Sequence, residues 1–291
     1  LDTRQTGTNM AGFAHGAKIF HIDIDSNELK HHRLPRRETI CADAKIFFQK
    51  LNKTKFKLDL EIWLNQVKKI RREYAQAKTI ERYFSNQTPY DLMSQTNQAK
   101  IKNVIYTVDI GQNQMFAAQT LKIFSKQDFF TSGGMAPMGY AVPCAIGASF
   151  GNPKRPVIAI CGDGGFVFSL QALMLVQQYK LPIKIIILNN YSLGMIVQFQ
   201  DAYFESQHFA TVEQGGYKIP SFKKIAESYS LAYKKFTSRS LKNVDFKKIL
   251  KAAGPAIIEV QTKKKTVVVP KLLMNQTLDK MSPFEEDERH D

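Results

Sequence analysis

Hydrophobic and polar positions change their period several times along this chain. Lys18–Asp25 alternates and stops at polar residues, which predicts a strand. Ala42–Leu51 predicts a short helix with Asp43 near its start, and Lys57–Gln76 a charged helix holding the only tryptophan, Trp63. Thr88-Pro89-Tyr90-Asp91 opens another helix. Strand and helix then alternate. Val104–Val108 is a strand, followed by a loop at Asp109–Gly111 and a helix through Leu121. Phe129-Phe130 is a short strand with Gly133-Gly134 after it, and Met138–Phe150 is a helix rich in small residues. Val157–Cys161 is an apolar strand that stops at Gly162-Asp163-Gly164-Gly165, and Phe168–Tyr179 is the helix after it. Ile183–Leu188, interrupted by Lys184, is a strand that stops at Asn189-Asn190. Helices at Phe222–Ser228 and Val244–Ala252 and a strand at Ala256–Val260 complete the pattern.

Apolar, β-branched strands alternating with helices predict an α/β fold: a parallel sheet flanked by helices on both faces. Ligands of such sheets bind beyond the carboxyl ends of the strands, where the Gly-Asp-Gly-Gly and Asn-Asn turns fall. The expected organisation is a first segment 1–52, a helical linker 53–87, a main domain 88–275 and a polar tail 276–291, extended or partly disordered.

Charge and cysteines narrow the classes. The net charge is +15, concentrated in Lys53–Lys78, Lys223–Lys251 and Lys263–Lys265. The first two stretches have helical periodicity, so their lysines read as solvated faces, and no stripe interleaves them with aromatics as nucleic-acid modules do. No nucleic-acid partner is expected. No apolar run approaches the ~18 residues that span a bilayer, so no membrane role is expected either. Cys41, Cys144 and Cys161 have no metal spacing and their number is odd, which suits a reducing cytoplasm.

The chemistry lies in the turns. An acid at the tip of a buried strand, Asp163, is not there for packing. Glycines beside it let a ligand approach the backbone, and a helix N-terminus behind it favours phosphate. The carboxylate is then a hard oxygen ligand for a divalent ion. By itself the motif also fits an ordinary Asp-Gly turn. One helix and one strand separate Gly164 from Asn189-Asn190, a single right-handed crossover that brings the next strand end alongside Asp163. An asparagine oxygen there completes the shell of an ion such as Mg2+, which takes about six oxygens, phosphate oxygens among them.

Gly162-Asp163-Gly164, the spacer and Asn189-Asn190 together resemble the thiamine-diphosphate signature. Three more segments resemble acetolactate synthase-like enzymes: Asp109-Ile110-Gly111-Gln112-Asn113-Gln114-Met115-Phe116-Ala117-Ala118-Gln119, the run from Thr131 through Ala136 and Met138 to Pro143, and the run from Tyr191 to Gln200. The resemblance extends over roughly residues 1 to 275 and implies a thiamine-diphosphate-binding fold preceded by the end of a Rossmann-like central domain. It implies that Asp163 and Asn190 bind Mg2+ through side chains and Ser192 through its carbonyl. Gly111, Gln112, Asn113, Ala136, Gly164 and Gly165 would contact thiamine diphosphate, and Met195 the cofactor and substrate pocket together with Phe199. Met138 would sit under the cofactor and force its bent, reactive shape; the plain alternative for Met138 is core filler. Leu1–Gly7, with Arg4, and His21–Asp25 resemble a region that holds FAD in true acetolactate synthases. Many relatives keep this fold without flavin, so FAD is possible but not favoured.

Two departures bear on substrate. Asn113 stands where the family has a histidine, and Phe199 where it has a tryptophan. The family's catalytic glutamate comes from an N-terminal domain that this chain is expected to lack, and it reaches across a subunit interface. The expectation is therefore a homodimer or homotetramer completed by that domain. The implied reaction is decarboxylation of a 2-oxo acid, pyruvate by family default, followed by carboligation. Simple decarboxylation, or a non-catalytic cofactor-binding fragment, stays open. A dinucleotide oxidoreductase is excluded, because no Gly-x-Gly-x-x-Gly follows a strand.

Overall fold

The computed structural model describes residues 3–7, 9–31, 34, 36–55, 59–76 and 87–273. Two compact units divide the chain: Leu1–Ala77 with Val269–Asp291, and Lys78–Val268.

In the first unit β1 (Ile19–Asp23) pairs in parallel with β2 (Arg37–Cys41), from Ile19↔Arg37 to Asp23↔Cys41. The connecting helix Ser26–Lys30 begins where the Asp25 side chain accepts the Asn27 N–H, and Ala44–Leu51 begins likewise at Asp43. β2 was not anticipated because its polar run Arg37-Glu38-Thr39 does not alternate, and the helix at Ser26 because little more than one turn is too short for a period to show. The charged helix spans Glu61–Gln76, and its apolar residues Ile62, Trp63, Val67 and Ile70 are exposed. No described helix is long and apolar enough to cross a membrane. The predicted tail 276–291 and the side chain of Arg4 lie outside the described residues.

The second unit is built on six parallel strands in the order β4-β3-β5-β6-β8-β7. These are β3 (Ile105–Val108), β4 (Asp128–Thr131), β5 (Val157–Gly162), β6 (Ile183–Asn189), β7 (Ala232–Phe236) and β8 (Ala256–Gln261). Alternate residues of the central strands feed two cores, one on each face. Tyr106, Val108, Ile158, Ile160, Ile186 and Ile258 enter one; Ile105, Val157, Ala159, Ile185, Ile187 and Ile257 enter the other. Fully burying each aliphatic side chain is worth ~1.5–3 kcal/mol, so the doubly covered centre is the most stable part of the sheet. Lys184, which breaks the apolar run of β6, is buried with its ammonium on the Ala252 and Gly254 carbonyls.

The chain leaves β3 toward β4 on one side and continues from β5 toward β6 on the other. The topological switch point therefore lies between β3 and β5, where open α/β sheets form their ligand crevice.

Two predicted elements differ from those observed, and one observed strand of this sheet was not predicted. The helix expected at Met138 begins at Ala141, because Gly139 takes φ +89 and the Asp109 carboxylate accepts the N–H groups of Gly139 and Ala141. The helix expected at Phe168–Tyr179 is instead three short pieces, Asp163–Val167, a 3-10 turn at Leu170–Ala172, and Leu173–Gln178. The glycines let the backbone turn into a helix directly at the strand tip. The Ser169 hydroxyl then donates back to the Phe166 carbonyl at 3.1 Å and competes with continuation. Finally, β7 carries Lys234 and Lys235, whose charge masks a strand that pairs on one side only.

Candidate functional site

Three consecutive strand tips of the sheet, those of β3, β5 and β6, open onto one cleft. At the β3 tip Gly111 takes φ +109, which L side chains rarely adopt, and turns the chain into the helix Gln112–Thr120. That helix presents N-terminal N–H groups without intrahelical partners. The buried Asn113 amide donates to the Asp109 carbonyl at 2.8 Å and lies within reach of the Ile160 carbonyl, which ties the β3 tip to β5.

At the β5 tip Asp163 is 2% exposed. One carboxylate oxygen accepts the Gly164 N–H at 2.8 Å, while Oδ2 is buried without a hydrogen-bond partner among the described residues. Burial pushes its pKa up to about 7, against the opposing pull of backbone N–H groups at Gly164, Ser192 and Tyr191. The Tyr217 hydroxyl is buried beside this carboxylate, and among the described residues neither it nor Oδ2 has a partner of full hydrogen-bond geometry; burial and the Asp163 carboxylate both push the Tyr217 pKa up, and Tyr217 in turn helps to pull the Asp163 pKa down. A Cβ on Gly164 would lie 2.5 Å from Leu193 Cδ2 and 3.0 Å from the Tyr217 hydroxyl, and one on Gly165 would lie 2.8 Å from Asp109 Oδ1. Both positions therefore need glycine for space.

At the β6 tip Asn189 and Asn190 are buried, and each side-chain oxygen accepts the backbone N–H two residues on, from Tyr191 at 3.1 Å and Ser192 at 3.2 Å. Between them Tyr191 sits at φ +56. Asn190 Nδ2 donates to Gln112 Oε1 at 3.3 Å, and Gln112 Nε2 donates to the Thr266 carbonyl at 2.7 Å and to Gln198 Oε1 at 3.1 Å. Ser192 Oγ is a third buried polar atom without a partner.

β5 and β6 are neighbours in register from Val157↔Ile183 to Gly162↔Leu188, so Asp163 and the Asn189–Ser192 turn emerge side by side, as the crossover argument required. Gly111, Gln112, Asn113, Met138, Asp163, Gly164, Gly165, Asn190, Ser192 and Met195 all line the cleft. Two predicted residues are not part of that lining. Ala136 is half-buried at φ +53, and Phe199 is 46% exposed on the helix Gly194–Tyr203, packed against Tyr203 and Phe204. In the first unit, Asp23 and Asp25, within the stretch that resembles a flavin-holding region, accept the backbone N–H groups of Asp25 and Asn27.

Sequence reasoning missed four contributors. The buried Asp109 carboxylate accepts from Ile110, Gly139 and Ala141, which holds the segment after Met138. Its signal was an acid at the tip of an apolar strand. Gly194 faces Gln112 and Asn190, and a Cβ there would lie 2.2 Å from Gln112 Oε1. Tyr217 and Glu259 have no local signal.

Among the described residues no group of three His, Cys, Asp or Glu side chains surrounds a metal position. The oxygens on offer are one carboxylate, an asparagine amide, hydroxyls and carbonyls, a hard donor set that suits Mg2+ sharing its shell with phosphate. The unpartnered Asp163 Oδ2 and Ser192 Oγ, and glycines that hold the backbone open, fit such a group.

Fold and cleft together define a doubly wound α/β domain with a glycine-lined cleft at its switch point. The family profile described as thiamine pyrophosphate enzyme, C-terminal TPP binding domain, matches residues 109–266, and the chain belongs to that family. It is 32% identical over 281 residues to acetolactate synthase 1, chloroplastic, of Nicotiana tabacum, covering 93% of this chain and 41% of that protein. It is 33% identical over 269 residues to the acetolactate synthase large subunit of Porphyra purpurea, covering 90% and 44% respectively. The chain thus spans about two-fifths of the length of these curated relatives.

Proposed function

We propose that this chain supplies the diphosphate- and Mg2+-binding part of an enzyme that decarboxylates a 2-oxo acid on thiamine diphosphate and joins the product to an acceptor, as the name acetolactate synthase implies for its relatives. The observation that carries this reading is the buried, unpartnered oxygen of Asp163 on a glycine-lined cleft, beside the Asn190 turn.

In this reading Asp163, Asn190 and the Ser192 carbonyl hold the ion. The N–H groups at Gln112, Asn113, Gly164 and Gly165 face the diphosphate. Met138 and Met195 bound the reacting end of the cleft, and Phe199 belongs to a substrate pocket completed outside this cleft. The bound cofactor supplies carbanion stabilisation, the part of 2-oxo acid decarboxylation that protein side chains do poorly. Pyruvate is the proposed donor, and a homodimer or homotetramer, completed by a glutamate-bearing domain, the proposed assembly. A reducing compartment, the cytoplasm by preference, suits the free thiols of Cys41, Cys144 and Cys161.

Titration calorimetry with thiamine diphosphate, with and without Mg2+, tests the core of this reading. Saturable binding that depends on Mg2+ is expected. Absence of binding, or binding indifferent to the metal, would overturn it.

A further inference from the structure

Glu259 is a buried carboxylate that takes no part in the cleft. It lies on β8 opposite Ile187 of β6 and is 3% exposed. Three strands meet at it. Its Oε1 accepts the Asn189 side-chain amide of β6 at 2.8 Å, its Oε2 accepts the Tyr233 hydroxyl of β7, and Lys235 Nζ of β7 lies 3.3 Å from Oε1. Packing alone gives no reason for this arrangement, since apolar residues of similar volume often replace a buried ion pair without loss of stability.

What the carboxylate does is choose the orientation of Asn189. An asparagine amide can face either way, but an ionised carboxylate only accepts. Glu259 therefore requires the Asn189 NH2 to point at it and turns Oδ1 toward the Tyr191 N–H, 3.1 Å away. That bond supports Tyr191 at φ +56, a region L side chains avoid. Tyr191 lies between Asn190 and Ser192, so its backbone angles set the directions of both neighbours.

We propose that Glu259, anchored by Tyr233 and Lys235, is the positioning residue of the ion-binding turn. It acts through the Asn189 amide and the left-handed Tyr191 backbone to aim the Asn190 side-chain oxygen and the Ser192 carbonyl. This inference rests on the thiamine-diphosphate reading. Edge strand β7 thereby serves the ion from two strands away without touching it.

The test titrates Mg2+ into the purified chain at saturating thiamine diphosphate, for the wild type, E259M, E259Q and N189A. E259M keeps the volume and removes the acceptor; E259Q keeps an acceptor oxygen for Asn189 and a group for the Tyr233 hydroxyl. Loss of an outer partner of a metal ligand typically weakens metal affinity ~10–100-fold. Because Glu259 and Asn189 act on the ligands through the Tyr191 backbone, E259M and N189A are each expected to raise half-saturating Mg2+ clearly but by no more than that ~10–100-fold, and E259Q to stay near the wild type. Melting temperatures without Mg2+ separate positioning from support of the fold, since a merely structural residue would lower them and leave the Mg2+ half-saturation of the folded protein unchanged. N189A keeps the test open if E259M does not fold, because it leaves the Glu259–Tyr233–Lys235 group intact. Wild-type Mg2+ dependence in E259M or N189A overturns the proposal. Failure of the wild type itself to bind thiamine diphosphate with Mg2+ removes instead the reading beneath it.

Discussion

Asp109 and Asp163 stand just beyond the tips of neighbouring strands β3 and β5, both buried, both next to glycines, and they have opposite states. Asp109 has its two oxygens engaged by the N–H groups of Ile110, Gly139 and Ala141. Burial pushes its pKa up and these bonds pull it back. Asp163 has one oxygen engaged by Gly164 and the other buried near the Tyr217 hydroxyl without a bond of full geometry among the described residues. A carboxylate satisfied on both sides is an internal brace, whereas one half-satisfied in a buried cleft is a group awaiting a ligand. The difference teaches that burial and an acidic residue at a strand tip do not by themselves single out a metal ligand; under the proposed function it is the oxygen without a full partner that does.

The largest break in this comparison comes from Asp163→Ala. It is expected to weaken Mg2+-dependent binding of thiamine diphosphate by more than the ~10–100-fold typical of an outer partner. Titration calorimetry reads this, and near-wild-type metal dependence would remove Asp163 from the site.

The next effect is on pH. The Asp163 pKa in the folded, ligand-free protein is about 7, above its value in an unfolded chain. The folded state therefore holds the proton more tightly, and its stability falls as pH rises from the unfolded value toward 7. Asp163→Asn removes the titrating proton. The wild type should lose stability relative to this variant between pH 4 and pH 7 in urea titrations, approximately the window between the two pKa values. A stability difference flat across that window would contradict the assignment. Tyr217, the neighbouring titratable group, stays neutral throughout, because its pKa is raised.

Asp109→Asn should act in the reverse sense. It replaces an acceptor facing a backbone N–H with a donor, and leaving such a buried group unmatched costs about 1–3 kcal/mol. Denaturant unfolding is expected to show that loss most fully at acid pH and less of it as pH rises, because the raised Asp109 pKa carries a rising-pH penalty of the same sign as that of Asp163. Unchanged stability would mean that the brace is dispensable.

The smallest effect tests the third tip. Tyr191→Gly relieves a left-handed residue that costs ~1–2 kcal/mol but adds glycine's entropy cost of ~0.5–1 kcal/mol. A net gain of about 0.5–1 kcal/mol in urea unfolding is expected. A clear loss would show that the Tyr191 side chain contributes more than its backbone costs.

Much of this was legible beforehand. Apolar runs at Val157–Cys161 and Ile183–Leu188 announced doubly covered strands, and the observed β5 and β6 extend each by one residue. The glycines after Cys161 announced a turn that leaves backbone exposed to a ligand, and the 162–190 spacing announced neighbouring tips. The helix after Asp163 was misplaced because a side chain hydrogen-bonding to its own turn, Ser169, leaves no trace in periodicity. β7 was missed because consecutive lysines, Lys234 and Lys235, break the alternation, and only the packed sheet shows that Lys235 turns toward the buried Glu259.

Sequence alone determined which residues reach the strand tips, since strand period, turn glycines and crossover length are properties of contiguous chain. Tertiary structure alone decided which of those residues remain chemically available. Two of the three partners that satisfy Asp109, Gly139 and Ala141, lie beyond β4, and the acceptors that orient Asn190 and Asn189 are Gln112 and Glu259 on other segments. Whether a buried polar atom is spent or free depends on donors brought to it from distant positions, and only the packed sheet brings them there.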